Sequence, residues 1–217
     1  MSYQDVVTRM TAAAVRVGRD ASSITLVAVS KAKTVSDIEA VYESGHRDFG
    51  ENRAQEMAAK AARLPDDIRW HFVGGLQTNK ARLIRPVTHL LHSMDRASLA
   101  GAWAKGSGVP PPVLLQINTG HELQKSGVDP GDARSTLGQV LSIGLEVRGL
   151  MAIPPLTEDP EAQRPHFAML RELRSELAGE HPEIVELSMG MTDDFEIAIE
   201  EGSSIIRVGR AIFGERT

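Results

Sequence analysis

The chain has 217 residues, with 24 lysines and arginines against 29 aspartates and glutamates, a net charge of −5 and no cysteine. The absence of cysteine excludes a disulfide scaffold, a cysteine-ligated metal site and a thiol nucleophile. Because lysine and arginine are spread among carboxylates along the whole chain, the charge pattern also argues against a nucleic-acid-binding protein.

The length suits one domain. A chain of this size buries roughly 70% of its unfolded surface in a single core, and no shift in composition marks a second domain, so one domain over residues 1–217 is expected. The first twenty residues include Asp5, Arg9 and Arg16 and no continuous apolar stretch. This pattern predicts neither a signal peptide nor a membrane span, and a cytoplasmic protein is the expectation.

Short apolar runs alternate with longer amphipathic segments, a pattern typical of βα units and a parallel sheet. An amphipathic helix is predicted first, over residues 3–17. A strand is predicted over residues 24–30, which are apolar on both faces as in a sheet covered by helices, and a helix follows over residues 35–44. Further strands are predicted over residues 48–50, 70–74, 89–93, 113–118, 146–153, 184–188 and 204–208.

About eight strands favour a closed (β/α)8 barrel over an open doubly wound sheet of five or six strands. The predicted fold class is therefore α/β, a single (β/α)8 TIM barrel. The helix over residues 3–17 is extra, and we expect it to close the bottom of the barrel. Functional residues of such barrels lie at the carboxyl ends of the strands and in the loops that follow them.

Lys31 leaves the first predicted strand. Its stem would lie against apolar walls and its amine at the open end of the barrel, where desolvation disfavours the ammonium form. A neutral amine can form a Schiff base with a carbonyl compound. The alternative is a solvated lysine that caps the strand.

A second candidate site follows the last two strands. Ser188, Gly190 and Thr192 lie in a glycine turn that enters a helix, where free backbone N–H groups and hydroxyls bind anions. Gly209 follows the eighth strand, where we expect the backbone to approach a ligand closely. The loops after strands seven and eight commonly bind phosphate in this fold. A helix cap beside an ordinary turn remains the alternative.

The remaining sequence features give weaker evidence for a functional site. Asn52, after the second strand, is a candidate ligand-binding residue or a helix N-cap. Residues 122–127 are predicted to form a flexible lid. The seven histidines lack the spacing of metal ligands, and neither a Walker A loop nor a G-x-G-x-x-G motif is present, so no metal or common nucleotide site is expected.

Six segments are recognisable together, and they are distributed over nearly the whole chain. They resemble, in order, the motifs of the YggS/PROSC family of pyridoxal phosphate homeostasis proteins. The segments are AVSKAKT (28–34), FGENRAQE (49–56), WHFVGGLQTNK (70–80), QINTGHELQKSG (116–127), RGLMAIPP (148–155) and SMGMTDDFEIAIEEGSSIIRVGRAIFGER (188–216).

The resemblance implies a single barrel like the N-terminal domain of alanine racemase, with pyridoxal 5′-phosphate held as an imine on Lys31. It implies a phosphate site made by a set of residues after strands seven and eight. These are Ser188, Gly190, Met191, Thr192, Gly209 and Arg210. Members of the family often have threonine or serine where this chain has Arg210, so either the backbone N–H suffices or the guanidinium partly replaces the hydroxyl.

By the same resemblance, Arg207 faces the pyridine nitrogen. A permanently charged guanidinium disfavours protonation of that nitrogen and weakens carbanion stabilisation. The cofactor is therefore expected to be chemically quiet.

Three functions are compatible with these features. A non-enzymatic protein that stores, protects or delivers pyridoxal phosphate is favoured, with apo forms of pyridoxal-phosphate-dependent enzymes as partners, no nucleic acid or membrane partner, and a monomeric state. An amino-acid racemase would need an acid opposite Lys31, and the two tyrosines, Tyr3 and Tyr42, fall in predicted helices. The third is a barrel enzyme that forms an imine between Lys31 and a phosphorylated substrate.

Overall fold

The structure, a computed structural model, describes residues 2–120 and 126–214. Most of the lid predicted over residues 122–127 therefore lies outside the described residues.

The eight predicted strands are all present, and the prediction of a closed barrel is confirmed. Every strand pairs in parallel with its two neighbours in the order β1 to β8, and β8 pairs with β1. The observed strands begin and end within two residues of the predicted bounds. They are β1 Thr25–Val29, β2 Asp48–Glu51, β3 Arg69–Phe72, β4 Thr88–Met94, β5 Val113–Ile117, β6 Val147–Ala152, β7 Glu186–Ser188 and β8 Ile205–Val208.

Helices of the described residues surround the barrel, joined by short loops and several 3₁₀ turns. They are α1 Tyr3–Arg16, α2 Val35–Glu43, α3 Ala54–Ala61, α4 Ala81–Ile84, α5 Ala97–Ala104, α6 Ala133–Ser142, α7 Arg164–Ala178, α8 Phe195–Glu200 and α9 Arg210–Phe213. None of them combines the length and the apolar character needed to cross a bilayer.

Alternate residues along the strands point into and out of the barrel, as the pleat requires. A small cluster inside the barrel includes Val27, Leu114 and Met151. The larger core lies between the barrel wall and the helices and includes Phe49 and Trp103. Because the small apolar cluster fills only part of the interior, polar side chains occupy other inward positions.

The N-terminal helix does not lie where it was predicted. Ser2 and Asp5 form a capping box at the start of α1, and the helix ends at Arg16. Its buried face packs against the outward-facing Leu26 of β1 and Ile206 of β8, and against α8 and α9. The expectation that it closes the bottom is wrong. The physical reason is that α9 has only four residues, so the apolar outer faces of β8 and β1 need another helix to cover them.

Candidate functional site

The carboxyl ends of four neighbouring strands bring most of the predicted site residues to one edge of the barrel, which we call the mouth. Lys31 follows β1, Asn52 follows β2, and Gly209 follows β8, while Gly190 follows β7. The four strands are hydrogen-bonded neighbours in the order β7, β8, β1, β2. Since all are parallel, the residues that follow them meet at the mouth.

Lys31 lies in a tight turn, residues 30–33, which we call the Lys31 turn. The backbone N–H of Lys33 donates to the carbonyl oxygen of Ser30 at 3.0 Å, which closes a β-turn. Ala32, in the third position of this turn, has φ of 61°, and among the described residues it is the only non-glycine residue with positive φ. Lys31 itself is half-buried. Its side chain therefore starts from a turn in an unusual backbone conformation.

The turn after β7 depends on Gly190. This residue has φ of 92°, and a Cβ atom there would lie 2.6 Å from Cβ of Ala198 and 2.9 Å from Cα of Phe195. The next backbone N–H, that of Met191, donates to Oδ1 of Asp194 at 2.5 Å. Asp194 is buried, and burial raises the pKa of its carboxyl. A protein carboxylate thus occupies one of the N–H groups that were predicted to bind phosphate.

Other backbone donors at the mouth stay available. Within the described residues, no protein atom accepts a hydrogen bond from the backbone N–H groups of Thr192, Gly209 or Arg210. Such N–H groups at neighbouring loop ends bind anions without needing side-chain hydroxyls.

The structure shows protein contacts of Gly209 and Arg210 that the sequence did not predict. The lack of a side chain at Gly209 allows a close approach to β1, because a Cβ atom there would lie 2.9 Å from the carbonyl oxygen of Val29, and an approach of this backbone to a ligand stays a prediction. The exposed guanidinium of Arg210 forms an ion pair with Asp193. Roles for the N–H groups of Gly209 and Arg210 in phosphate binding stay predictions.

Asn52 is half-buried, and it does not cap α3, whose N-cap is Arg53. The helix-capping alternative for Asn52 is therefore wrong. A Cβ atom at Gly74 would come within 2.8 Å of Cα of Asn52, so the loop that follows β3 packs directly against this residue.

Arg207 and Ser188 lie inside the barrel at the top of a hydrogen-bonded chain that sequence reasoning did not identify. Nη1 of Arg207 donates to Oγ of Ser188 at 2.7 Å, and Nη2 donates to the carbonyl oxygen of Ala152 at 2.9 Å. Oγ of Ser188 lies 2.8 Å from Nδ1 of His92. Ser188, predicted to bind phosphate, therefore already has two protein partners.

The chain continues down the barrel through two histidines. Nε2 of His92 lies 2.9 Å from Nδ1 of His71, and Nε2 of His71 lies 3.0 Å from Oδ1 of Asp48. Arg69 donates to both oxygens of Asp48, at 2.8 and 2.5 Å. We call Arg207, Ser188, His92, His71 and Asp48 the interior chain.

The end groups of the interior chain determine the direction of every hydrogen bond in it. Arg207 can only donate, so Ser188 accepts from it and donates its own hydroxyl hydrogen to Nδ1 of His92. Nε2–H of His92 then donates to Nδ1 of His71, and Nε2–H of His71 donates to the ionised Asp48. With both imidazoles neutral, every buried polar atom along this path has a partner.

The pKa shifts agree with this assignment. Burial lowers the pKa of His92 well below its ordinary value, which favours the neutral imidazole. Burial opposes ionisation of Asp48, but hydrogen bonds from Arg69 and His71 outweigh it and hold the pKa of the Asp48 carboxyl far below its usual range. Burial lowers the pKa of Arg207 to about 10, so Arg207 stays a cation at neutral pH.

Acid stability is expected to depend on Asp48. Because the pKa of its carboxyl is lower in the folded state, its contribution to stability is complete above the unfolded pKa of roughly 3.9 and is lost as pH falls toward the folded pKa. We expect Asp48→Asn to lose less stability than the unsubstituted protein between about pH 5 and pH 3. Urea unfolding at both pH values measures this, and parallel losses would contradict it.

A sequence signal for the interior chain does exist. Asp48, His71 and His92 each fall inside a predicted strand next to a buried apolar residue, on three successive strands. Polar residues in buried strands need partners, and in a closed barrel those partners come from the neighbouring strands.

Comparison with known proteins gives the family. Residues 9–217 match the model of the alanine racemase N-terminal domain. A pyridoxal phosphate homeostasis protein of Aquifex aeolicus is 42% identical, over 97% of this chain and 95% of that protein. One of Pseudomonas aeruginosa is 42% identical, over 97% of this chain and 93% of that protein.

A solved structure supports the same family. The structure of PipY from Synechococcus elongatus PCC7942 with PLP bound has a TM-score of 0.78 and 35% identity, and the match covers 96% of this chain and 100% of PipY. These findings confirm the resemblance drawn from the six motifs. The chain belongs to the alanine racemase N-terminal domain family and, within it, to the pyridoxal phosphate homeostasis proteins.

Proposed function

We propose that this protein binds pyridoxal 5′-phosphate as a Schiff base on Lys31 and stores, protects or delivers it. Relatives at about 40% identity are named for pyridoxal phosphate homeostasis, and PipY has been solved with PLP bound. The observation that carries the proposal is that the Lys31 turn and the anion-binding backbone donors follow neighbouring strands at one mouth.

The residues at the mouth fit the aldehyde, the phosphate and the pyridine nitrogen of pyridoxal phosphate. An aldehyde requires an amine, which Lys31 supplies; condensation forms a C=N bond in place of C=O and releases one water. A phosphate requires donors, and the N–H groups of Thr192, Gly209 and Arg210 have no protein acceptor among the described residues. A pyridine nitrogen can accept a hydrogen bond from a guanidinium such as that of Arg207.

Arg207 favours binding over catalysis. Pyridoxal phosphate supplies an electron sink to enzymes when its ring nitrogen is protonated. A guanidinium that is cationic and held by Ser188 and Ala152 cannot supply that proton readily and repels a protonated ring. The interior chain therefore keeps a group at the mouth that suppresses carbanion chemistry.

The two tyrosines support the same conclusion. The hydroxyl of Tyr3 lies 3.3 Å from Nδ1 of His46, which precedes β2. The hydroxyl of Tyr42 donates to Asp67, which precedes β3. Both hydroxyls are therefore engaged beside the amino ends of strands, away from Lys31, and neither is the acid that a racemase needs opposite the lysine.

Residues 1–217 form one binding domain, most of which the family model spans. We propose that the protein acts as a cytoplasmic monomer and that the recipients are apo forms of pyridoxal-phosphate-dependent enzymes.

Lys31→Ala tests the binding mode. Borohydride adds hydride to the C=N bond, and mass spectrometry of the reduced protein is expected to find the pyridoxyl group on Lys31. In Lys31→Ala the adduct and the visible absorbance band are expected to disappear completely. Affinity for pyridoxine 5′-phosphate, which has no aldehyde, is expected to stay within about threefold, because the phosphate donors are backbone groups.

Lys33→Ala is the matched control, since it removes another amine from the same turn and is expected to retain the adduct. An adduct on another lysine, or loss of pyridoxine 5′-phosphate binding in Lys31→Ala, would refute the proposed division between Lys31 and the backbone. Racemisation of an amino acid that is lost in Lys31→Ala would instead favour an enzyme.

A further inference from the structure

A buried ionic cluster lies behind the Lys31 turn, on the side of the helices. Lys60 of α3 is its centre: Nζ donates to the carbonyl oxygen of Ser30 at 2.8 Å, to Oε1 of Glu51 at 2.6 Å and to Oε1 of Glu56 at 2.7 Å. Oε1 of Glu51 also accepts from the hydroxyl of Ser30 at 2.7 Å. The residue before Lys31 is therefore held through both its side chain and its carbonyl group.

The residue after Lys31 is held by the same cluster. The backbone N–H of Ala32 donates to Oε1 of Glu56 at 2.6 Å. Burial raises the pKa of Glu56, but bonds from Lys60 and the N–H of Ala32 lower it further than burial raises it, so Glu56 is ionised at neutral pH. A hydrogen bond from an N–H to a charged acceptor stabilises more than one to a neutral acceptor.

This bond matters because the Lys31 turn has two possible conformations. A β-turn with positive φ only at its third residue is type II, and rotation of the central peptide by about 180° converts it to type I, in which that φ is negative. Type II favours glycine at the third position, because a Cβ atom is sterically unfavourable at positive φ. Ala32 alone would therefore favour the other orientation of the peptide between Lys31 and Ala32.

The central peptide of the turn is attached directly to Cα of Lys31. Its orientation determines where the N–H of Ala32 points, and in the observed turn it points at Glu56. The N–H group can reach Glu56 in only one of the two orientations. The carboxylate thus opposes the intrinsic preference of alanine and selects the strained turn.

We propose that Glu56 is a positioning residue for Lys31: its carboxylate captures the N–H of Ala32 and holds the Lys31 turn in the conformation that presents the amine for Schiff-base formation. Lys60, anchored to Ser30 and Glu51, keeps that carboxylate in place. This inference rests on the proposed function, because it concerns how readily Lys31 forms the Schiff base.

Three variants separate turn geometry from charge. Glu56→Ala removes the acceptor, and we expect the equilibrium constant for Schiff-base formation with pyridoxal phosphate, from the visible absorbance, to fall about tenfold. Glu56→Gln keeps an amide oxygen that can accept from Ala32 and should retain at least about a third of that constant. Glu56→Ala with Ala32→Gly should recover to within about threefold, because glycine adopts positive φ without strain.

Two measurements distinguish a general disturbance of the structure from a specific effect on the position of Lys31. Affinity for pyridoxine 5′-phosphate is expected to change less than about twofold in every variant, since the phosphate donors lie after β7 and β8. Glu39→Ala removes an exposed carboxylate that lines the same surface cavity as Glu56, and it is expected to match the unsubstituted protein.

If Glu56→Ala forms the Schiff base as readily as the unsubstituted protein, or if Ala32→Gly does not rescue it, Glu56 does not position Lys31. If Schiff-base formation is as weak in Glu56→Gln as in Glu56→Ala, the charge of Glu56 and not its hydrogen bond to Ala32 is responsible. The inference then also fails. If the unsubstituted protein forms no Schiff base, it is the proposed function that has failed.

Discussion

Lys60→Met is expected to lower the free energy of unfolding by about 3–5 kcal/mol, because it leaves a buried carboxylate without its cation. The side chain of Glu51 is fully buried, and that of Lys60 is 8% exposed. Methionine fills a similar volume but donates no hydrogen bond, so Glu51, Glu56 and the carbonyl of Ser30 all lose a donor. Urea or thermal unfolding measures the change.

The deficit of Lys60→Met is expected to depend on pH. Burial already raises the pKa of Glu51, and loss of Lys60 removes the group that lowers it. A carboxyl whose folded pKa lies above its unfolded pKa stabilises the folded state as pH falls below the folded pKa. The deficit should therefore be smaller in acid than at neutral pH.

Two further variants identify the cause. Adding Glu51→Gln to Lys60→Met removes the unpaired charge and is expected to recover more than half of the lost stability. Lys105→Met, at an exposed lysine, is expected to change stability by less than about 0.5 kcal/mol. A double variant no more stable than Lys60→Met would show that lost packing, and not the unpaired carboxylate, causes the effect.

Gly190→Ala is expected to lower the free energy of unfolding by about 2–5 kcal/mol and to weaken binding of pyridoxine 5′-phosphate. Backbone strain at φ of 92° contributes about 1–2 kcal/mol, and forcing a methyl group against Ala198 and Phe195 contributes about 1–3 kcal/mol. Movement of α8 to relieve the contact would displace the turn that carries the N–H of Thr192.

Gly202→Ala is the matched control. Gly202 has a similar φ of 96°, but the nearest heavy atom to an added Cβ is Cδ of Arg171 at 3.8 Å. It should therefore show the backbone strain alone, about 1–2 kcal/mol, with binding of pyridoxine 5′-phosphate unchanged. Equal losses of stability in the two variants would contradict the steric argument for Gly190.

The barrel was predictable because its signals are local. The strand predicted over residues 24–30 is observed as Thr25–Val29, and the one predicted over 204–208 as Ile205–Val208. A parallel strand covered by helices is apolar on both faces, so each strand is visible as a short run without knowledge of its neighbours. The position of α1 was not predictable in this way, because it depends on the shortness of α9 at the other end of the chain.

The candidate site was predictable in part for a related reason. Parallel strands all end at the same edge, so the residues after β1, β7 and β8 had to meet once a barrel was expected. Local rules also placed Gly190 in a turn. They could not show that Asp194 takes the N–H of Met191, or that Ser188 already donates to His92.

The remaining features depend on contacts between segments that are distant in the sequence. Ser188 and His92 are 96 residues apart, and Ala32 and Glu56 are 24 apart. Hydrophobic periodicity carries the identity of each strand and helix, since burial of apolar side chains follows the repeat of the backbone. The direction of a hydrogen bond inside the barrel carries no such repeat, because it depends on which polar atoms closure of the sheet brings within about 3 Å.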